Sequence, residues 1–446
     1  MTVYDEQNFP LAALKGSMRD FRVQQGPNII DRCEAFYTWQ DVRRQSGTWP
    51  FSRSTETGPQ ETCAVRDDSG KLFEGVNFAS QDYLSLSSHA AVIAAAKEAI
   101  DSMGVHSAGS PALVGNTSTS ISLENRLADF LQMKEAILFP TGWAAGFGVI
   151  MGLVRAGDHI VMDILAHACL QTGARAATKN VHLHRHLDLD SVREKLAAIR
   201  GADTDAGIMI VTEGLFSMDS DTPDIAALQS VAREYGATLM VDVAHDLGNL
   251  GPSGSGHIGL QNMLGEVDLV MGSFSKTFGS NGGFVATNSR AVKEYLRFYS
   301  PSCTFSNALS PAQVATISKS LEIVRSEEGD DLRFSLMENV LSLREKIKLR
   351  DMEVYGEPSA IVAVKTGDEA LARMTSRELP KLGLLANLVE FPAVAKGQAR
   401  FRLQVMAGHS ADEIEAAATI MQSGLTFGGL ALGDIVGDWS SQGLKA

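Results

Sequence analysis

The chain has 446 residues, 44% of them hydrophobic, with 39 Lys plus Arg against 53 Asp plus Glu and a formal net charge of −14. That acidic balance argues against nonspecific nucleic-acid binding, which needs a basic surface. The four cysteines (Cys33, Cys63, Cys169, Cys303) lack metal-ligand spacing and fit a reducing compartment, and apolar runs such as 208–211 are strand-sized, so no membrane span is expected.

Residues 1–7, Met-Thr-Val-Tyr-Asp-Glu-Gln, lack the basic and apolar regions of a signal peptide, so the expected location is cytoplasmic. Residues 1 to about 70 are polar and aromatic; 31–39 suggest a helix and 52–59 a loop. From about residue 75 strands and helices alternate. Strands are expected at 136–139, 159–162, 208–212, 238–242, 268–272 and 283–287, and helices at 90–102, 120–132, 144–154, 189–199 and 224–235. Short apolar strands alternating with helices indicate an α/β fold with a mainly parallel sheet covered on both faces. Pro311, after Ser310, reads as a helix start and as the exit into a smaller C-terminal α+β domain. The expected division is an extension and arm at 1–75, a large domain at 76–310 and a small domain at 311–446.

Ligands of such sheets bind at the carboxyl ends of strands. Asp242 closes the strand 238–242 and opens Asp-Val-Ala-His (242–245); Lys276 follows the strand 268–272 in Gly-Ser-Phe-Ser-Lys (272–276). A lysine or an aspartate alone at a strand end is most often solvated. Together they match what pyridoxal phosphate needs: an amine that forms an imine with an aldehyde, and a carboxylate that keeps a ring nitrogen protonated. His245 then falls within reach of the cofactor's phenolic oxygen. Pro-Thr-Gly-Trp-Ala-Ala-Gly (140–146) leaves a strand and opens a helix, the arrangement in which main-chain N–H groups bind phosphate. Ser273 and Ser275 add hydroxyl donors beside it. His167 can stack on the ring or simply begin a helix. His182, His184 and His186 would share one face of a strand; with no acidic or cysteine partner at ligand spacing, a half-exposed polar face is the better reading, and no metal is expected. Arg400 and Arg402 also share a strand face, and either can pair with a substrate carboxylate.

Several ordered motifs across about 75–425 make the chain resemble the α-oxoamine synthases, a family of fold-type I pyridoxal-phosphate enzymes. They are Asn-Phe-Ala-Ser-Gln-Asp-Tyr-Leu-Ser-Leu (77–86), Phe-Pro-Thr-Gly-Trp (139–143), Thr-Glu-Gly-Leu-Phe-Ser-Met-Asp (212–219), Asp-Val-Ala-His, Gly-Ser-Phe-Ser-Lys, Phe-Ser-Asn-Ala-Leu-Ser-Pro (305–311) and Lys-Gly-Gln-Ala-Arg-Phe-Arg (396–402). The resemblance implies catalytic roles for Lys276, Asp242, His167 and His245. It puts Gly142, Trp143 and Ser217 at the cofactor, gives Arg402 and Gln81 the amino-acid carboxylate, and lets Ser306 reach the phosphate of a second subunit. It also implies a homodimer with interfacial sites, and a substrate pair of an amino acid and an acyl-CoA or acyl-carrier-protein thioester.

This chain departs from the family pattern at Gln81 (Asn in many relatives), at Ala112 and Ser120 (Arg and His), and at Ala166-His167-Ala168-Cys169 (Asn-His-Ala-Ser). The expected reaction is decarboxylative condensation to an α-amino ketone, with serine favoured as in serine palmitoyltransferases; a lipid product would bring peripheral membrane contact. The alternatives are chemistry like that of glycine C-acetyltransferase or 8-amino-7-oxononanoate synthase, a fold-type I aldolase, or a non-catalytic partner subunit. The retained Lys276 argues against the last.

Overall fold

The computed structural model describes residues 9–441, with side chains to residue 435. The N-terminal heptapeptide, which lacks the marks of a signal sequence, lies outside the described residues. Helices begin where a short polar side chain can accept one of the main-chain N–H groups that a first turn leaves open. Thr117, Thr141, Asp188, Asp224, Ser289, Ser310 and Asp368 each do this. The cap at Thr141 starts its helix at Gly142, two residues before the expected position.

The apolar runs form strands. In chain order they are β1 (Ser54–Thr55), β2 (Thr62–Arg66), β3 (Leu72–Phe78), β4 (Glu135–Phe139), β5 (His159–Asp163), β6 (Val181–His184), β7 (Ile208–Glu213), β8 (Thr238–Asp242), β9 (Leu269–Ser273), β10 (Gly283–Thr287), β11 (Ile361–Gly367), β12 (Leu384–Val389) and β13 (Ala399–Gln404). The described chain divides into two compact units.

The larger unit holds Gln81–Ser217 and Asp221–Ser335. Its sheet has the order β4-β10-β9-β8-β7-β5-β6. β10 runs antiparallel to both neighbours and the other pairings are parallel, in line with the expected mainly parallel sheet. β7, β9 and β10 are buried along their whole length, which is why they read as unbroken apolar runs rather than as alternation. On one face Ile137, Met162, Val211, Met240 and Met271 form a core with Val149 and Ile150 of helix Gly142–Leu153 and Leu170 of helix Ala168–Ala177. Leu239 and Val241, which alternate with Met240, are buried on the opposite face. Helix Pro311–Val324 belongs to this unit: it packs on helix Ala90–Met103 and buries Val314, Ile317 and Leu321. The chain therefore leaves the large unit not at Pro311, as the sequence suggested, but within helix Glu327–Lys348.

The smaller unit holds the residues up to Ser80, the excursion Met218–Ser220 and the residues from Leu336. Its sheet has the order β1-β2-β3-β12-β13-β11, antiparallel except for the β3–β12 pair. The expected separate extension is part of this unit. It supplies β1 to β3 and an aromatic cluster of Phe21, Phe36, Trp39, Trp49 and Phe51, in which the rings of Trp39 and Trp49 lie against Arg43. Arg43 is fully buried and pairs with Glu390 at 3.0 Å, while Arg373 pairs with the other Glu390 oxygen at 2.7 Å. Removing one partner from such a buried set strands a charge, so the Arg43–Glu390 pair binds the extension to the C-terminal segment.

Candidate active site

The parallel strands of the large unit end in polar residues: Asp163 on β5, Glu213 on β7, Asp242 on β8 and Ser273 on β9. At these ends lies a cavity of about 240 Å³. Gly142, Trp143, His167, Asp242, His245, Ser273, Ser275 and Lys276 line it, together with Thr141, Cys169 and Glu213.

Gly142 is the first residue of its helix, and a Cβ there would sit 2.3 Å from the Cβ of Ser273. Only glycine lets the helix start come this close, and its first N–H groups then lie beside two hydroxyls, Ser273 Oγ and Ser275 Oγ, 2.7 Å apart. Open N–H groups, a helix N-terminus and paired hydroxyls fit a phosphate. Trp143 is half exposed and stacks on Phe147.

His167 caps helix Ala168–Ala177. Its Nδ1 accepts the Cys169 N–H at 3.3 Å and lies 3.0 Å from Cys169 Sγ. A nitrogen that accepts a main-chain N–H carries no proton, so in the neutral ring the proton sits on Nε2 and that edge can donate. The His167 N–H in turn donates to Glu213 Oε1 at 2.7 Å.

Asp242 is buried and accepts the Ala244 N–H at 2.9 Å. Burial raises its pKa, and the neighbouring His167 and Lys276 pull it back. A buried carboxylate facing a lysine across a small cavity fits a protonated ring nitrogen. His245, also buried, has Nδ1 2.9 Å from the hydroxyl of Tyr83. Burial pushes the Cys169 thiol above its ordinary range, so it is a neutral thiol.

Other residues singled out from the sequence lie away from this lining. Ser217 is buried, and Gln81 and Ser306 are partly exposed; none of the three lines the cavity. Arg402 is on β13 of the smaller unit. Arg400, two residues away, pairs with Asp219, donates to the Met218 carbonyl at 3.1 Å and lies 4.2 Å from the Tyr355 ring. Ser120, one of the departures, completes a capping box with Thr117.

The three histidines do not share one strand face, because β6 ends at His184 and His186 lies beyond it. His182 bonds His159 at 2.9 Å, and His184 bonds the Arg185 carbonyl. His186 sits between Asp163 at 2.9 Å and Asp221 at 3.1 Å. Among the described residues no group of three His, Cys, Asp or Glu side chains could hold a metal.

Sequence reasoning missed Glu213, Cys169 and Tyr83. Glu213 closes its strand as Asp242 does, so the strand-end criterion would have found it; nothing local marks the other two.

A model of the aminotransferase class I and II family matches residues 74–421. The chain is 33% identical over 378 residues to 2-amino-3-ketobutyrate coenzyme A ligase of Escherichia coli (strain K12), covering 84% of this chain and 93% of that protein. It is 30% identical over 414 residues to 4-hydroxy-2,2'-bipyrrole-5-methanol synthase PigH of a Serratia species. That alignment covers 92% of this chain but 62% of PigH, so the chain spans less than two thirds of that relative. Among solved structures, serine palmitoyltransferase of Sphingomonas wittichii matches with a TM-score of 0.84 at 26% identity, over 90% of this chain and 99% of that one.

Proposed function

This chain belongs to the aminotransferase class I and II family and, within it, to the α-oxoamine synthase group, and from that premise we propose that it joins an amino acid, with serine favoured, to an acyl thioester. The products are an α-amino ketone, carbon dioxide and the free thiol. The observation that carries this reading is the one cavity in which Lys276, Asp242 and His167 meet the glycine-started helix.

Pyridoxal phosphate fits these residues. When bound, it supplies an electron sink for negative charge at the amino acid's α-carbon. Asp242 would hold the proton on the ring nitrogen. The Gly142 and Trp143 N–H groups, with Ser273 and Ser275, would take the phosphate. His167 would cover one ring face and offer its Nε2–H. His245, oriented by Tyr83, would face the phenolic oxygen together with Ser217. Lys276 would hold the cofactor through its amine and, once released, take the α-proton as general base. We assign the substrate carboxylate to Arg402, assisted by Gln81, on the family motif. Four free cysteines, three of them buried, support a reducing, cytoplasmic setting. No helix among the described residues is long and apolar enough to cross a membrane.

A second reading is favoured by the likeness to the 2-amino-3-ketobutyrate ligase across 93% of that protein: glycine as the amino acid and an acetyl thioester as the donor, without net loss of carbon dioxide. A panel of amino acids against acyl thioesters of graded chain length, on coenzyme A and on a carrier protein, separates the two by product mass and released carbon dioxide. We expect the purified protein to be yellow, and Lys276→Ala to lose both the lysine-linked visible absorption and at least about a hundredfold in turnover. A Lys276→Ala protein with undiminished turnover would sink this reading.

A further inference from the structure

Glu213 and Asp242 are register partners at the carboxyl ends of β7 and β8. Partners on adjacent parallel strands point to the same face, and both side chains line the cavity that holds Lys276. Both are buried, at 4% and 6% exposure. Two carboxylates set side by side away from water cannot both keep a full charge. We propose that Glu213 is a positioning residue of this site, holding His167 through its main-chain N–H and sharing one proton with Asp242, so that Asp242 is the ionised member.

The surroundings decide which carboxyl keeps the proton. Burial, and then the charge of Asp242, pushes Glu213 well above the ordinary carboxylate range; the His167 N–H opposes this, Asp163 adds to it, and Lys276 opposes it. Asp242 is also raised by burial, but His167 and Lys276 favour its charge. Cys169 faces the pair as a neutral thiol, and His245 and Asp246 follow Asp242 in sequence. A neutral Glu213 keeps one oxygen for His167 at 2.7 Å and has an O–H to give. A ring nitrogen then meets one carboxylate rather than two, and the His167 ring stays where helix Ala168–Ala177 begins.

The consequence for catalysis rests on the cofactor reading, but the shared proton does not. A carboxyl whose folded pKa is raised binds its proton more tightly in the folded chain. Stability therefore falls as pH rises from the unfolded value of about 4.3 through the folded one. The test compares full-length wild type, Glu213→Gln and Glu213→Ala by Tm against pH and by pH titration of the bound cofactor's visible spectrum. Gln mimics the neutral acid: its carbonyl can accept from His167 and its amide can donate. We expect Glu213→Gln to flatten the fall in Tm above about pH 5. We expect Glu213→Ala to shift the spectral titration and lose roughly tenfold in kcat with little change in KM, and Gln to recover most of that loss.

A Glu213→Gln protein that keeps the wild-type Tm profile and fails as badly as Glu213→Ala would overturn the proposal, because an ionised Glu213 would then be what matters. So would an Ala variant indistinguishable from wild type. A protein that takes up no pyridoxal phosphate sinks the functional reading instead, and the Tm profiles still decide the shared proton.

Discussion

Arg400 and Arg402 are side chains of one type on one strand face, in different surroundings. Arg400 is 4% exposed, and its guanidinium is already engaged by Asp219, the Met218 carbonyl and the Tyr355 ring. Its Nε donates to the Gln398 carbonyl as well, so these partners draw the group away from a substrate. Arg402 lies one pleat repeat along and is partly exposed, and it matches the family's carboxylate-binding position. Arg402→Ala should therefore raise the amino-acid concentration needed for the spectral change by about tenfold or more, as expected for losing a charge-assisted bidentate contact. Arg400→Ala should keep that response and lower stability by about 1–3 kcal/mol, because Asp219 and a carbonyl lose their donor. Amino-acid titration of the visible spectrum beside thermal melts separates the two; a lost response in a fully stable Arg400→Ala protein would reverse the assignment. The sequence carried Lys276 and Asp242 because strand ends place chemistry at one edge of the sheet. It did not carry the division between the arginines, which depends on Asp219 some 180 residues earlier in the chain (|i−j| = 181).

At the scale of elements, the β5 end is secured by His186, where sequence spacing suggests a half-exposed polar face. Both ring nitrogens face carboxylates, Asp163 at 2.9 Å and Asp221 at 3.1 Å, so both carry protons and the ring is a cation. Burial disfavours that charge, but the two carboxylates outweigh it and raise His186 to about 10. The pairing also bridges the β5 end to the loop after β7, where Phe216 packs edge-on against the His186 ring. The sign follows from linkage. A histidine raised in the folded chain stabilises fully below its unfolded pKa of about 6.5, and that contribution is lost as pH rises toward the folded value. His186→Asn should therefore lower Tm most at about pH 6.5 and just below, by an amount equivalent to about 1–3 kcal/mol, and the gap to wild type should close toward pH 10. A gap constant across that range would mean that the ring packs there without its charge. The strands themselves were legible because burial on both faces leaves long apolar runs. The histidine was not, because its partners come from β5 and from beyond β7.

On the scale of the whole molecule, the alternation of strands and helices gave the layered architecture, and what it could not give were connections between distant segments. Arg43 meets Glu390 across 347 residues, so the extension joins the smaller unit although nothing in its own composition says so. The same limit applies to self-association. Val105, Leu113, Val114 and Phe305 are 73%, 82%, 91% and 86% exposed. Hydrogen bonds hold their two segments together: Ser107 Oγ to the Ala308 carbonyl at 2.7 Å, Ala308 N–H to the Gly109 carbonyl at 2.9 Å, and Ser110 Oγ to the Thr304 carbonyl at 2.6 Å. Four large apolar side chains on two linked segments make a surface that water alone covers poorly. We propose that a second copy of the chain covers it, with Ser306 between these residues reaching that copy's phosphate. Each copy carries a net charge of −14, so repulsion opposes pairing and salt should favour it. Sedimentation should then give a dimer that tightens with ionic strength. Val114→Asp should shift it to monomer and weaken cofactor retention in the same titration, whereas Phe334→Asp, at another exposed apolar residue of the large unit (68% exposed), should do neither. A wild-type monomer at micromolar concentration, or a Val114→Asp dimer with unchanged cofactor retention, would remove this surface as the site of pairing.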